Sequence, residues 1–134
     1  MALVTRDASA SLDASSGMFA GQLSGDLFAG EALDLLAPCY IKSTDGKAYM
    51  SNGTAATEPA GFAGFTPEAY AIGEAVTLIS APACFRYAAS GLTAGAKLYI
   101  AATAGRLDTV ASVGDGVGVA RAINATDIQI TRFI

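Results

Sequence analysis

A chain of 134 residues with 52% hydrophobic and 15% charged positions has apolar material for one sizeable core and too little for a second independent one. Its net charge of −4, with the 8 basic residues scattered, argues against a nucleic-acid ligand, because neutralising phosphates needs clustered Lys and Arg. The absence of histidine removes Ser-His-Asp and Cys-His nucleophilic sites and the commonest general base and metal ligand, so we expect neither an enzyme nor a bound cofactor.

The start, Met1 to Asp7, lacks the basic-then-apolar order of a signal peptide. No run reaches the roughly 18 uninterrupted apolar residues of a membrane span. We therefore expect a soluble protein made in the cytoplasm, with no membrane partner. Asp7 to Gly17 is rich in small polar residues and has little periodicity, so residues 1–27 read as a flexible amino-terminal arm and residues 28–134 as a single β domain. The arm region carries Leu12, Met18, Phe19, Leu23 and Leu27, followed by Phe28, spaced among glycines. Each glycine costs about 1 kcal/mol in a helix interior, which favours an extended segment. Fixing about 25 backbones costs on the order of 25 to 50 kcal/mol, whereas burying Leu12, Met18, Phe19 and Leu23 returns only about 6 to 12. Left to itself the arm is expected to stay disordered, and to order by adding a strand to a neighbouring subunit or to the sheet of a partner protein. Those six apolar residues are the candidate interface.

From Gly30 onward the chain reads as short strands. A strand through Leu35 to Ile41, the turn Ser43-Thr44-Asp45-Gly46 and a return strand Lys47–Met50 form a first hairpin. A loop through Asn52-Gly53 to Pro59 leads to Gly61–Phe65, and then to Glu74–Ile79. Pro67 followed by Glu68 predicts one short helical turn at Thr66–Tyr70. After Ser80-Ala81-Pro82 and a strand at Ala83–Tyr87 the order repeats: a hairpin from Gly95–Ile100 through Ala104-Gly105 to Arg106-Leu107, the strand Val117–Ala120, and Asp127–Phe133. Val117 and Val119 are expected on one face and glycines on the other. The repetition suggests an internal duplication, and the strand spacing predicts an all-β barrel or sandwich.

Few side chains are arranged for chemistry. Cys39 and Cys84 read as buried thiols, with a disulfide left open. Two cysteines without a Cys-x-x-Cys pair do not make a zinc site. Gly114-Asp115-Gly116-Val117-Gly118 has glycines but no helix after it, so it is not a phosphate loop. Asp26, Glu31 and Asp34 lack the spacing of a calcium loop and read as a solvated strand end. Arg86 and Arg132 are expected to pair with Glu74 or Asp127. Phe62, Phe65, Tyr70, Phe85, Tyr87 and Tyr99 read mainly as core, with a sugar-binding platform as the alternative.

One phrase carries a resemblance. Gly91-Leu92-Thr93 with Gly95-Ala96 and Leu98-Tyr99, then Ala104-Gly105 with Leu107, then Val117-Gly118-Val119-Ala120 and an alternating last strand, is similar to the small β-rich head decoration, or cement, proteins of tailed bacteriophages. The resemblance runs from roughly Gly30 to Ile134 and is best from Phe62 onward. It implies a non-enzymatic virion protein that binds the outside of an assembled capsid and stiffens it, commonly as a trimer. The implied partners are the major capsid protein and copies of the chain itself, with the arm as one contact. The implied location is the capsid exterior, after assembly in the host cytoplasm. A carbohydrate-binding or fibre-associated virion module is the rival reading.

Overall fold

The computed structural model describes residues 3–6, 11–12 and 22–132. Among these the regular elements are β1 (Ser11–Leu12), β2 (Gln22–Leu23), β3 (Pro38–Ile41), β4 (Ala48–Met50), β5 (Gly64–Phe65), β6 (Leu78–Ile79), β7 (Cys84–Arg86), β8 (Lys97–Ile100), β9 (Leu107–Asp108), β10 (Ala120–Ala122) and β11 (Asp127–Ile130), with one 3-10 turn at Glu58–Ala60. The strands pair antiparallel into a six-stranded sheet, β1-β7-β11-β10-β8-β9, and a five-stranded sheet, β2-β6-β5-β3-β4. Each sheet has two ends, so of the two architectures expected the fold is a sandwich and not a closed barrel.

The two sheets repeat one pairing order. In the five-stranded sheet the hairpin β3–β4 pairs through β3 with β5, which pairs with β6. In the six-stranded sheet the hairpin β8–β9 pairs through β8 with β10, which pairs with β11. The halves read from sequence as similar in order are therefore alike in connectivity. In both sheets the strand at the far end comes from the amino-terminal segment: β2 lies on β6, and β1 on β7.

Local chemistry explains most element boundaries. The first hairpin turns at Gly46, where φ is +69°, a conformation that is cheap only without a Cβ. Beside it Asp45 Oδ1 accepts the Lys47 N–H at 3.0 Å and Oδ2 accepts the Tyr49 hydroxyl at 2.6 Å. The strand expected from Leu35 begins only at Pro38, because Leu36 has φ +50°. Its side chain is nonetheless buried between the sheets, and that packing holds an unfavourable backbone in place. No helical turn forms at Thr66–Tyr70. Thr66 is buried, and its hydroxyl donates to the Asp34 carbonyl at 2.5 Å and accepts the Ala37 N–H at 2.9 Å. Tyr70 and Leu33 exchange backbone hydrogen bonds at 2.9 and 3.0 Å, which keeps the segment extended. The short helical turn falls instead at Glu58–Ala60, with Pro59 near its start.

Alternation within strands places the core. Leu98 and Ile100 of β8, and Ile128 and Ile130 of β11, face inward, while Lys97 is exposed. They join Phe65 and Ile79 of the other sheet, with Phe85, Leu107, Val119 and Ala120, in the cluster between the sheets. Phe65 and Phe85, one from each sheet, meet edge to face with centroids 5.5 Å apart. Phe62 and Tyr87 extend the row on either side at 5.5 and 6.5 Å. A second cluster lies on the other face of the five-stranded sheet, where Leu27, Ala29, Leu33 and Val76 cover Cys39, Ala48, Ala63 and Leu78.

Candidate functional site

The candidate interface residues divide between the core and the surface. Leu12 lies in β1, its backbone opposite Phe85. Met18 and Phe19 fall outside the described residues. Leu23 sits opposite Leu78 in β2 and packs half-buried against the second cluster, and Leu27 is buried within that cluster. Phe28 is 40% exposed, although its backbone is held tightly: its carbonyl accepts the Ala48 N–H at 2.9 Å, and it bridges to Ala75. Leu23 and Leu27 thus serve this chain's own core, and Phe28 is the most exposed of Leu23, Leu27 and Phe28.

The described amino-terminal pieces pair in cis at three places. Besides β1 and β2, Leu3 bridges to Asp108 on the outer side of β9, and the Val4 N–H donates to the Leu107 carbonyl at 2.9 Å. Val4 enters the core between the sheets. Two arginines fasten this piece: Arg106 Nη2 donates to the Val4 carbonyl at 3.1 Å, and Arg6 donates to the Leu35 carbonyl. The outer edge of β4 is covered in a similar way, since Gly30 donates to the Ala48 carbonyl at 2.9 Å. Covering edges in this manner blocks indiscriminate strand pairing with other chains.

The most constructed loop is residues 109–118, and its centre is Asp115, 1% exposed. Oδ2 accepts the Ile100 N–H at 2.8 Å; Oδ1 accepts the Gly118 N–H at 2.9 Å, the Val117 N–H at 3.1 Å and Arg132 Nη2 at 2.5 Å. Arg132 Nε also donates to the Gly118 carbonyl at 3.2 Å. Burial by itself would raise the Asp115 pKa. The Ile100 and Gly118 amides, the Arg132 guanidinium and the Val117 amide outweigh that and hold the carboxyl below its ordinary value of 3.8. Arg132 thus pairs with Asp115, not with Glu74 or Asp127. Arg86 lies directly opposite Asp127 in the β7–β11 register.

This latch overturns the expected strand at Val117–Ala120. The carboxylate draws the Val117 and Gly118 amides into the loop, and Gly118 takes φ +95°. Val117 is consequently 70% exposed while Val119 is fully buried, so the two valines do not share a face. The glycines around Asp115 dominate the local sequence pattern and mask its structural role. Its signal was there, since an Asp two and three residues before amides in a turn is the pattern of an Asx turn.

Two neighbouring loops join this one. Gly114 donates to the Gly53 carbonyl at 3.0 Å, Gly53 donates to the Ala101 carbonyl at 2.7 Å, and the Thr54 hydroxyl donates to the Ala102 carbonyl at 3.1 Å. Segments 51–57, 101–105 and 109–118 therefore form one end of the sandwich.

Among the described residues no group of three or more Cys, Asp or Glu is placed to hold a metal ion. Cys39 and Cys84 are not joined in a disulfide. Cys39 is buried in the second cluster, where desolvation, and then the carboxylates of Glu31 and Asp34, push its thiol pKa far up. Phe62, Phe65, Phe85 and Tyr87 are buried, which leaves Tyr49, Tyr70 and Tyr99 partly exposed. Lys42 Nζ lies 5.0 Å from the Tyr49 ring centre, and the hydrogen bond to Asp45 raises the Tyr49 pKa to about 12. The chain matches no protein-family model, and no curated protein is significantly similar to it.

Proposed function

We propose that this chain is a virion structural protein without catalytic activity, which binds the outer surface of a phage capsid, associates with copies of itself and stabilises the shell. The reading is carried by the Gly91–Tyr99 phrase and its continuation, whose residues form the β8–β9 hairpin and the approach to β10 and β11. It is supported by the absence of histidine and by an architecture whose most constructed loop is fixed by structural hydrogen bonds. Shell binding stabilises by mass action: a protein that binds the assembled lattice and not its dissociated subunits shifts the equilibrium toward the intact particle. At a hundredfold excess over the dissociation constant this gives about 2.7 kcal/mol per site.

The test is to compare particles with and without the protein. Particles lacking it should burst at a lower temperature, and purified protein added back should restore the difference. If bare particles are as robust as decorated ones yet fail to attach to host cells, the carbohydrate-binding reading replaces this one.

A further inference from the structure

We infer that the end of the sandwich made by segments 51–57, 101–105 and 109–118 is the surface through which copies of this chain associate. The inference rests on the self-association in the reading above and not on the capsid.

Three observations carry it. The first is exposure: Val110, Val113 and Val117 are 54%, 78% and 70% exposed, and Val113 is the most exposed large hydrophobic residue among those described. The two loops linked to this one add exposed small side chains, Ala55, Ala56 and Thr57 on one and Ala102, Thr103 and Ala104 on the other. Isolated exposed valines are unremarkable, but three on one loop flanked by small apolar side chains form a patch.

The second is rigidity. Asp115 fixes both limbs of the valine loop through the Ile100, Val117 and Gly118 amides. Ser112 Oγ accepts the Asp115 N–H at 3.1 Å, and the neighbouring loops are stitched on through Gly53 and Thr54. Val, Ala and Thr side chains have few rotamers to lose. A contact made here therefore forfeits little conformational entropy.

The third observation selects the partner. Asp115 is the only charged residue in the three segments, and it is buried against Arg132. Each copy carries a net charge of −4, so two copies repel unless they meet where neither presents charge. This end comes near that condition, with Asp115 compensated by Arg132 and Glu58 exposed at its margin. Of the other exposed apolar residues, Phe28 lies between Asp26 and Glu31, Ile72 lies two residues from Glu74, Ile123 lies two residues from the exposed Arg121, and Leu3 is held in its bridge to Asp108. Contact between copies at Phe28 or Ile72 would bring carboxylates together.

Light scattering over a concentration series tests the inference, using the full chain, Val113→Asp, Val117→Asp and the control Ile72→Asp. The unmodified chain and Ile72→Asp should show masses above one chain. Val113→Asp and Val117→Asp should associate at least tenfold more weakly, with unchanged circular dichroism. Two valine variants are used so that a folding defect in one leaves the other to decide. A single-chain mass for the unmodified protein at every concentration overturns the inference. So does unchanged association in a folded Val113→Asp or Val117→Asp. If these variants stay associated but no longer bind particles, the end belongs to the shell contact and the inference fails. If the chain associates through this end but binds no particle, the inference stands and the capsid reading falls.

Discussion

Replacing Asp115 by alanine should be among the most damaging single changes in this protein. The side chain is 1% exposed, and its two oxygens serve the amides of Ile100, Val117 and Gly118 and the Arg132 guanidinium. Removing it leaves the Ile100 and Gly118 amides buried without their acceptor, at about 1 to 3 kcal/mol each, or about 2 to 6 in total. A domain of this kind is stable by only about 5 to 15 kcal/mol. For a chain of this length each kcal/mol moves the thermal midpoint by about 3 to 5 °C, so a fall of at least about 6 °C is expected. Arg132→Ala should cost less, because the three amides keep their acceptor. The effect also has a pH signature. The folded pKa of Asp115 lies below the ordinary 3.8, so its contribution is full above that value and is lost as pH falls through the folded one. The gap between the unmodified protein and Asp115→Ala should therefore hold steady from neutral pH down to about 4 and narrow below it. Urea titrations at a series of pH values measure both quantities. Equal midpoints at neutral pH would refute the latch.

Gly118→Val should be more disruptive than Val119→Ile. It puts a branched side chain at φ +95° with its Cβ 3.1 Å from the Leu98 carbonyl oxygen, overpacking that costs about 1 to 3 kcal/mol, whereas one added methylene at Val119 is expected to be accommodated; equal melting temperatures for Gly118→Val and the unmodified protein would rule this out. Deleting residues 1–24 should preserve the β spectrum, because the second core cluster begins with Leu27. It should also lower the melting temperature, since Val4 leaves the core between the sheets, and weaken particle attachment in co-sedimentation. Loss of the β spectrum would mean that the segment is indispensable to the fold.

What could be read from the sequence was whatever is decided by near neighbours. The Asp45-Gly46 turn, the inward Leu98 and Ile100 and the inward Ile128 and Ile130 follow from turn chemistry and a period of two. The helical turn at Thr66–Tyr70 was misplaced because the hydroxyl of Thr66 is claimed by Asp34 and Ala37, a contact that local pattern does not reveal. The same holds for the latch: the Asp115 turn is a local motif, but its hydrogen bond to Ile100 and its ion pair with Arg132 join separate elements. The places of Leu23 and Leu27 were hidden for a related reason. Their apolar character was plain, yet nothing nearby in the chain says that Leu23 faces Leu78 in β2–β6 pairing. By local pattern the apolar residues of the arm are the candidate interface, while Val117 belongs to an expected strand at Val117–Ala120.

The placement of β1 and β2 has a consequence for how the molecule is made. Leu12 leaves the ribosome long before Phe85, its partner across the sheet, and Leu23 long before Leu78. At synthesis rates of about 5 to 20 residues per second, these segments wait roughly 3 to 15 s before the strands that receive them exist. During that interval their apolar residues have no place in their own fold. Where many nascent copies are made side by side, this is also the interval in which one chain's segment can meet another chain's newly emerged β6 or β7 edge.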